Sequence, residues 1–242
     1  MSVTAAKGFT AAGVQAGIKA SGRRDLALVV NTGPDRVCAG VYTSNRFQAA
    51  PVQWSRGVTA GGVLDAVVLN SGGANACTGP DGLADTRAAA ALVADAIGSA
   101  AGRVAVCSTG LIGVRLPMDA VGHGVALASA ALSSDGGADA ALAIMTTDTV
   151  PKTATASGPG WTIGGMAKGA GMLAPALATM LVVITTDAVL TAAEADAALR
   201  AATALTFDRT DSDGCMSTND TVILMASGAS GAHPDASEFT AA

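Results

Sequence analysis

The segment from Gly164 to Ala188 constrains the fold more than any other stretch of this chain. It reads GGMAKGAGMLAPALATMLVVITTDA. A loop rich in glycine and stiffened by Pro175 leads directly into a β-branched run at 180–186. A run of this kind, bounded by turn residues, predicts a buried strand. The segment therefore predicts a core strand that begins immediately after a loop, with Thr179 at the join.

Thr179 is a candidate nucleophile because of its position. A threonine hydroxyl is a weak nucleophile, but an N-terminal threonine carries its own base, because an α-amine titrates at about pH 8. Cleavage of the Ala178–Thr179 bond would create that base. Gly169, Gly171 and Pro175 allow the bent, strained backbone that internal attack on this bond requires. The alternative is a threonine that simply opens a core strand after an ordinary loop.

Length and composition narrow the class of protein. A chain of 242 residues forms one or two domains and buries a sizeable core without metals or disulfides. Half of the residues are hydrophobic but only 3% are aromatic, so the core is built mainly from Ala, Val, Leu and Ile. With a net charge of −5 and 14 Lys and Arg, the chain has no basic stripe for a phosphate backbone. Nucleic acid is therefore not an expected partner.

The cysteines and the apolar runs argue for a cytoplasmic protein. Four cysteines, at 38, 77, 107 and 215, have neither CxxC spacing nor a nearby histidine, so no zinc site or redox pair is predicted. The first residues lack the order of a signal peptide. Pro, Thr or Gly interrupts each apolar run before it reaches membrane-spanning length, so no membrane association is expected.

Strands alternate with helices along the chain. The predicted strands are 26–30, 37–42, 63–69, 103–107, 161–166, 180–186 and 222–225, the first two as an antiparallel hairpin. The predicted helices are 82–97, 116–132, 138–145 and 191–204, the last opened by a capping box of Thr191 and Glu194. A second capping box, Asp235 with Glu238, has too few residues after it for a stable helix. This mixture predicts a mixed-sheet α/β sandwich.

Few side chains are suited to catalysis. His123 lies in a helical stretch and His233 in the final irregular segment, so a Ser-His-Asp triad is poorly supported. The Ser108-Thr109-Gly110 turn follows a strand and supplies the donors that an oxyanion needs, although an ordinary turn has the same pattern. Lys168 is placed to bind a carboxylate or to lower the pKa of a nearby ammonium, or it is a surface lysine.

Two polar segments are weaker signals. The glycine-rich run from Asn70 is better explained by an ordinary turn than by a cradle for an anion. Asp208, Asp211, Asp213, Asn219 and Asp220 lack the spacing of a calcium loop. They predict a polar turn that supports the site.

Several motifs together resemble one enzyme family. In this chain they are KGAGMLAPALATMLVVITTDA from Lys168, AGVYTSNRFQAAPV from Ala39, NSGGANACTG from Asn70, STGLIG from Ser108, IMTTDT from Ile144 and FDRTDSDGCMSTNDT from Phe207. They are similar, in order and over nearly the whole chain, to the ornithine acetyltransferases, also called bifunctional glutamate N-acetyltransferases. Their fold, shared with the N-terminal-Ser aminopeptidases, agrees with the predicted sandwich.

The resemblance implies a function and a set of site residues. The precursor would cleave itself between Ala178 and Thr179, and Thr179 would carry an acetyl group from N-acetylornithine to glutamate in arginine biosynthesis. Thr109 and Gly110 would form the oxyanion hole, and Thr146 and Lys168 would bind substrate. Thr146, Thr147 and Asp148 are otherwise explained as a helix cap.

The same resemblance implies the organisation of the protein. Residues 1–178 would form an α-chain segment with the oxyanion hole and a substrate loop, and 179–242 the start of a β-chain segment, because the family continues past residue 242. Two chains of each kind would form a heterotetramer. No metal or organic cofactor is implied, although some members of the family also use acetyl-coenzyme A. An N-terminal-nucleophile amidase or aminopeptidase, and an inactive uncleaved fragment, stay open as alternatives.

Overall fold

The computed structural model describes residues 2–172 and 180–242. The predicted nucleophile Thr179 and the predicted cleavage bond Ala178–Thr179 lie in 173–179, outside the described residues. Within the described residues the strands are β1 (Phe9–Val14), β2 (Leu26–Asn31), β3 (Val37–Tyr42), β4 (Ala66–Gly73), β5 (Val104–Leu111), β6 (Lys152–Gly158), β7 (Trp161–Lys168), β8 (Leu181–Thr186) and β9 (Thr221–Ala226). The α-helices are α1 (Ala50–Thr59), α2 (Gly79–Ile97), α3 (Met118–Ala130), α4 (Gly137–Ala143), α5 (Ala192–Leu205) and α6 (Ala236–Ala241).

The strands form two mixed sheets. One has the order β1-β2-β4-β5 and the other the order β3-β9-β8-β7-β6. Each sheet contains one parallel pair, β4 with β5 and β8 with β9, and its other pairs are antiparallel. The predicted mixed-sheet α/β sandwich is therefore confirmed.

The hydrophobic core lies in three layers. The inner faces of both sheets share one cluster, which includes Val29, Leu69, Met166 and Val183. The outer face of the first sheet packs on α2 and α3, and that of the second on α5 and α6. Because apolar groups cover both faces of β2 and β9, the residues of these strands are buried without alternation, as in LALVVN and TVILMA.

Small residues allow these layers to approach closely. At Gly13 on β1, a Cβ atom would lie 1.9 Å from the carbonyl oxygen of Asp139 in α4. Backbone cannot move away as a flexible side chain can, so this helix packs on the strand only if the residue is glycine.

The predicted hairpin of the first two strands is wrong in its pairing. Both strands form, but β3 pairs with β9 in the other sheet, with Val37 opposite Ala226. Between them the Asn31 side chain donates to the carbonyls of Asp35 at 3.0 Å and Ala226 at 3.2 Å. The chain thus crosses between the layers at a turn that resembles a hairpin turn in sequence.

Other elements differ from the sequence predictions at identifiable places. The sequence analysis did not predict β1, α1 or β6, and most residues of β6 are exposed. The capping box of Thr191 and Glu194 is confirmed, with both reciprocal hydrogen bonds present.

A short α6 does form after Asp235, whose carboxylate accepts from two main-chain N–H groups. Phe239 of this helix contacts Trp161 edge-on, with 5.3 Å between the ring centroids. Tertiary packing therefore stabilises a helix too short to form alone.

Helix α1 covers the open edge of β5. Trp54 donates to the Val104 carbonyl at 3.0 Å. The Ser55 hydroxyl donates to the Val106 carbonyl at 2.7 Å and accepts from the Val106 N–H at 2.9 Å. These side chains replace the strand that would otherwise pair here, and a covered edge cannot recruit another chain. The register of β5 is thereby fixed on both sides.

None of the helices in the described ranges is long and apolar enough to cross a membrane. The four cysteines are free thiols. Burial raises the pKa of Cys38 and of Cys107 to about 12, so both behave as small apolar core residues at neutral pH.

We expect Ser55→Ala to lower the free energy of unfolding by about 1–3 kcal/mol, because it leaves the N–H and C=O groups of Val106 buried without partners. Chemical denaturation measures this change. Ser129→Ala is the matched control, since the Ser129 hydroxyl bonds only the Ala126 carbonyl of its own helix, and we expect a change below about 0.5 kcal/mol. Equal effects of the two substitutions would contradict a role for Ser55 in covering β5.

Candidate active site

The candidate site lies where three strands of the second sheet meet. Lys168 at the end of β7 pairs with Leu181 at the start of β8, which pairs in turn with Thr221 at the start of β9. The loop from β7 to β8 and the segment before β9 therefore reach the same edge of the sheet. Thr179 is two residues before Leu181, and the pairing of Leu181 with Lys168 places the main chain that follows Thr179 at this edge.

The aspartate-rich segment before β9 contacts both flanks of 173–179. The N–H of Met172 donates to Asp213 Oδ2 at 2.8 Å, and the N–H of Met180 donates to Asp220 Oδ1 at 3.0 Å. The predicted polar turn is thus present beside the site. The two aspartates differ in burial: Asp213 is exposed, whereas Asp220 is fully buried.

Lys168 and Thr146 contact each other directly. Lys168 is 2% exposed, and its Nζ donates to Thr146 Oγ1 at 3.4 Å. Burial lowers the pKa of Lys168 to about 8, against the opposing effects of Asp148 and Asp220, whose charges favour the ammonium form. The interpretation of Lys168 as a surface lysine is therefore wrong. A buried ammonium with a long, weak hydrogen bond retains capacity to bind an anionic group.

Asp148 holds the Thr146 loop to the end of β7. Its Oδ2 accepts from the Thr146 N–H at 3.2 Å, and its Oδ1 accepts from the Gly169 N–H at 2.8 Å and from Lys152. Burial acts to raise the pKa of Asp148, but the bond from Lys152 and the two N–H groups outweigh it, and the net shift is downward. Asp148 is therefore a buried carboxylate that joins two loops, rather than a solvated cap.

Thr109 and Gly110 lie at the end of β5 in the first sheet. Thr109 is buried, opposite Ser71 of β4, and Gly110 is exposed, opposite Gly72. Gly110 has φ +131°, and a Cβ there would lie 2.4 Å from the Gly72 carbonyl carbon, so only glycine fits. The pairing of β4 with β5 is irregular at this point, with a register shift at Gly72 and Gly73.

Buried polar side chains connect this strand end to the second sheet. Asn219, next to Asp220, donates to the carbonyls of Ala74 at 2.6 Å and Ser108 at 2.8 Å. Ser71 donates to the Ala143 carbonyl at 2.5 Å, at the end of the helix that leads to Thr146. Both sheets therefore contribute to one site.

The structure describes four of the residues that were predicted for the site. Thr146 and Lys168 contact each other, whereas within the described residues Thr109 and Gly110 are linked to them through the hydrogen bonds of Ser71 and Asn219. Ala178 and Thr179 lie outside the described residues. His123 and His233 are both exposed, on α3 and in the final loop.

The sequence analysis assigned no role to Ser71, explained Asp148 as a cap, and placed Asp220 in a polar turn without predicting that it is buried. A polar residue close to the end of a helix or strand was the available signal for each, but that pattern does not distinguish a buried connector from a solvated turn.

Comparisons of sequence agree with the motifs. The profile of the ArgJ family matches residues 10–242. The "Arginine biosynthesis bifunctional protein ArgJ" of Streptomyces coelicolor is 67% identical over 242 residues, which is all of this chain and 63% of that protein. This chain thus spans less than two thirds of the length of that relative.

Comparisons of structure agree as well. An ornithine acetyltransferase from Mycobacterium tuberculosis, solved in complex with ornithine, matches with a TM-score of 0.71 and 56% identity, over 74% of this chain and 96% of that chain. An aminopeptidase from Ochrobactrum anthropi, a prototype of the serine aminopeptidases with a variant of the Ntn hydrolase fold, matches over 93% of this chain and 73% of its own, at TM-score 0.53 and 16% identity. The second likeness shows the fold alone, and it is the fold type predicted from the sequence. Since the family profile spans nearly the whole chain and the similar proteins agree with it, this chain belongs to the ArgJ family.

Proposed function

We propose that this protein is an acetyltransferase of arginine biosynthesis, which moves an acetyl group from N-acetylornithine to glutamate through an ester on Thr179. The carrying observation is the buried pair of Lys168 and Thr146, which lies at the same sheet edge as the main chain that flanks Thr179. The similar proteins are called bifunctional arginine biosynthesis proteins and an ornithine acetyltransferase.

The first step would be cleavage of the Ala178–Thr179 bond. Residues 1–178 make up 74% of this chain, and 74% is also the share that matches 96% of the solved ornithine acetyltransferase chain. This agreement supports a precursor that becomes two chains, 1–178 and 179–242 with any continuation. Two of each would form the heterotetramer, in the cytoplasm.

Acetyl transfer would then use the freed α-amine of Thr179 as base. The amine accepts the hydroxyl proton while the oxygen attacks the acetyl carbonyl, and it returns that proton to the ornithine nitrogen as the amide bond breaks. Glutamate attacks the ester by the reverse steps and leaves as N-acetylglutamate. The donor is an amide, so no cofactor is consumed, although acetyl-coenzyme A is an alternative donor.

Thr109 and Gly110 would stabilise the tetrahedral oxyanion. The Gly110 N–H and the Thr109 hydroxyl are the proposed donors. A preorganised donor of this kind lowers the barrier by about 3 kcal/mol. The close packing of Gly110 on the Gly72 main chain supports the role, because it holds the Gly110 N–H in place before substrate binds.

Lys168 and Thr146 would bind the substrate carboxylate. The Lys168 ammonium is desolvated, and its hydrogen bond to Thr146 is long, at 3.4 Å. The Lys168 ammonium has little water around it, so it can donate a strong, charge-assisted hydrogen bond to an incoming carboxylate.

We expect Thr179→Ala to leave the chain intact, because the substitution removes the hydroxyl that attacks the Ala178 carbonyl. Denaturing mass spectrometry of the purified protein would then find one species, where the natural sequence gives a cut after residue 178. Thr179→Ser is the matched control, since it keeps a hydroxyl and should still be cleaved. Cleavage of the alanine variant at this bond would require another nucleophile.

Product analysis separates acetyl transfer from hydrolysis. With N-acetylornithine alone, we expect Thr179 to gain one acetyl group, located by peptide mapping after acid quenching. Addition of glutamate should discharge the ester as N-acetylglutamate. Release of acetate at the same rate with and without glutamate would instead identify an amidase.

The pKa of Lys168 predicts how substrate binding depends on pH. Since Lys168 is charged below about pH 8 and neutral above it, we expect KM for the carboxylate substrate to be constant at lower pH and to rise above pH 8. Lys168→Met should raise KM about tenfold or more at pH 7 and abolish this rise. Lys7→Met, which changes an exposed lysine, is the control. A KM that rises equally in the Lys168 variant would contradict the proposed contact.

A further inference from the structure

Asp148 acts on both of the residues that are proposed to bind the substrate carboxylate. Its side chain is 1% exposed, in the segment between α4 and β6. Oδ2 accepts the Thr146 N–H at 3.2 Å, and Oδ1 accepts the Gly169 N–H at 2.8 Å. Gly169 directly follows Lys168, so one carboxylate fixes the main chain of Thr146 and the main chain that carries Lys168. The contact between Lys168 and Thr146 therefore joins two segments that Asp148 holds together.

Lys152 supplies the third donor to Asp148. It begins β6, and its side chain is 45% exposed, so the ion pair that its Nζ forms with Asp148 Oδ1 extends from solvent to the site. Burial acts to raise the pKa of Asp148, but the Lys152 bond and the two N–H groups bring it below its ordinary value. Asp148 is therefore a carboxylate anion throughout the neutral pH range.

The charges that face Lys168 come from several elements. Burial lowers the pKa of Lys168 to about 8, and Lys152 on β6 and Lys19 in the segment between β1 and β2 lower it further. Asp148 and Asp220 act in the opposite direction, and Asp148 has the larger effect. Burial raises the pKa of Asp220 to about 7, so its charge is partly lost near neutral pH. Asp148 is thus the anion that stays beside Lys168 at every pH where the site would work.

We propose that Asp148 is a positioning residue for the substrate carboxylate: it holds Thr146 and the end of β7 together and keeps the Lys168 ammonium charged, while Lys152 weakens that effect from the surface. A buried ammonium without a nearby anion loses its proton readily. A carboxylate that is bonded to both segments supplies the anion and the geometry at once. The inference rests on the proposed function, which assigns Lys168 and Thr146 to the substrate.

This role differs measurably from that of a simple connector. If Asp148 only joined two segments, its substitution would loosen them and admit water to Lys168, and the pKa of Lys168 would rise towards its ordinary value. If Asp148 keeps the ammonium charged, loss of the anion lowers that pKa instead. Loss of the Lys152 cation acts in the opposite direction and raises it. The sign of each change therefore separates electrostatic positioning from mechanical support.

The test measures the pKa of Lys168 in the purified protein by NMR titration of isotope-labelled lysine side chains, with the Lys168 signal identified by its loss in Lys168→Met. We expect about 8 in the natural protein, about one pH unit lower in Asp148→Asn and about half a pH unit higher in Lys152→Gln. KM for the carboxylate substrate should begin to rise, in each variant, at the pH where Lys168 loses its charge. At about pH 7, Asp148→Asn should raise KM roughly threefold or more.

Two control variants change groups of the same kind elsewhere. Asp187 is also buried and accepts two main-chain N–H groups, from Thr162 at 2.7 Å and Lys7 at 3.1 Å. It follows the far end of β8, roughly 20 Å along the strand from the residue paired with Lys168. Asp187→Asn, and Lys7→Gln at an exposed position, should both leave the pKa of Lys168 within about 0.2 pH units of the natural value.

Lys152→Gln protects the test against misfolding, because its half-exposed side chain can be replaced without loss of the core. An unchanged or raised pKa of Lys168 in folded Asp148→Asn, or an unchanged one in Lys152→Gln, would overturn the positioning role alone. If the pKa of Lys168 moves as expected but KM does not follow it in any variant, Lys168 does not bind the substrate carboxylate. That result would overturn this step of the proposed function, and the inference with it.

Discussion

The hydrogen bonds of Asn219 hold the two halves of the site in one place. Its amide donates across the sandwich to the carbonyls of Ala74, directly after β4, and of Ser108 in β5, while the next residue, Asp220, accepts from the N–H of Met180, directly before β8. The ends of strands in separate sheets have no main-chain ladder between them, so side chains must fix their separation. All of these groups are buried, where hydrogen bonds are stronger and an unmade one is costly. The site geometry thus depends on this polar connection between the layers.

Two ionisable groups lie near this connection, Lys168 and Asp220, and burial disfavours the charged form of each. Lys168 has a lowered pKa and Asp220 a raised one, and in both cases desolvation is the largest cause. Each shift means that the charged form is less stable here than in water. A core position would normally exclude such residues, and apolar substitutes would stabilise the fold. Asp148 shows the opposite arrangement, since Lys152 and two N–H groups satisfy it. The charged groups that their neighbours only partly stabilise are therefore those beside the segment where substrate would bind.

Sequence patterns predicted the layers of this fold better than its connections. Buried β-branched runs identified β2, β8 and β9, and residue spacing identified the start of α5, because these signals are local. The partner of β3 is not local: Val37–Tyr42 has the same apolar character whether it pairs with β2 or with β9. Likewise the motif that contains Lys168 was recognisable, but its burial follows from packing of the Thr146 loop, 22 residues away, onto the end of β7. Asp220 shows the limit most clearly, since five polar residues in one segment predict a turn and do not tell which of them is buried.

The sheet order explains how a chain cut at residue 178 would stay assembled. In the second sheet, β3, β6 and β7 precede the proposed cut, whereas β8 and β9 follow it. The order β3-β9-β8-β7-β6 places both later strands between earlier ones, with β9 paired to β3 and β8 paired to β7. Each pairing spans six register positions, and the apolar faces of β8 and β9 pack on both sides. Separation of the two pieces would expose the apolar faces of β8 and β9 to water, which is unfavourable in free energy. Loss of one peptide bond does not change this. Cleavage would therefore free an amine at the site while the strands that position it remain in place.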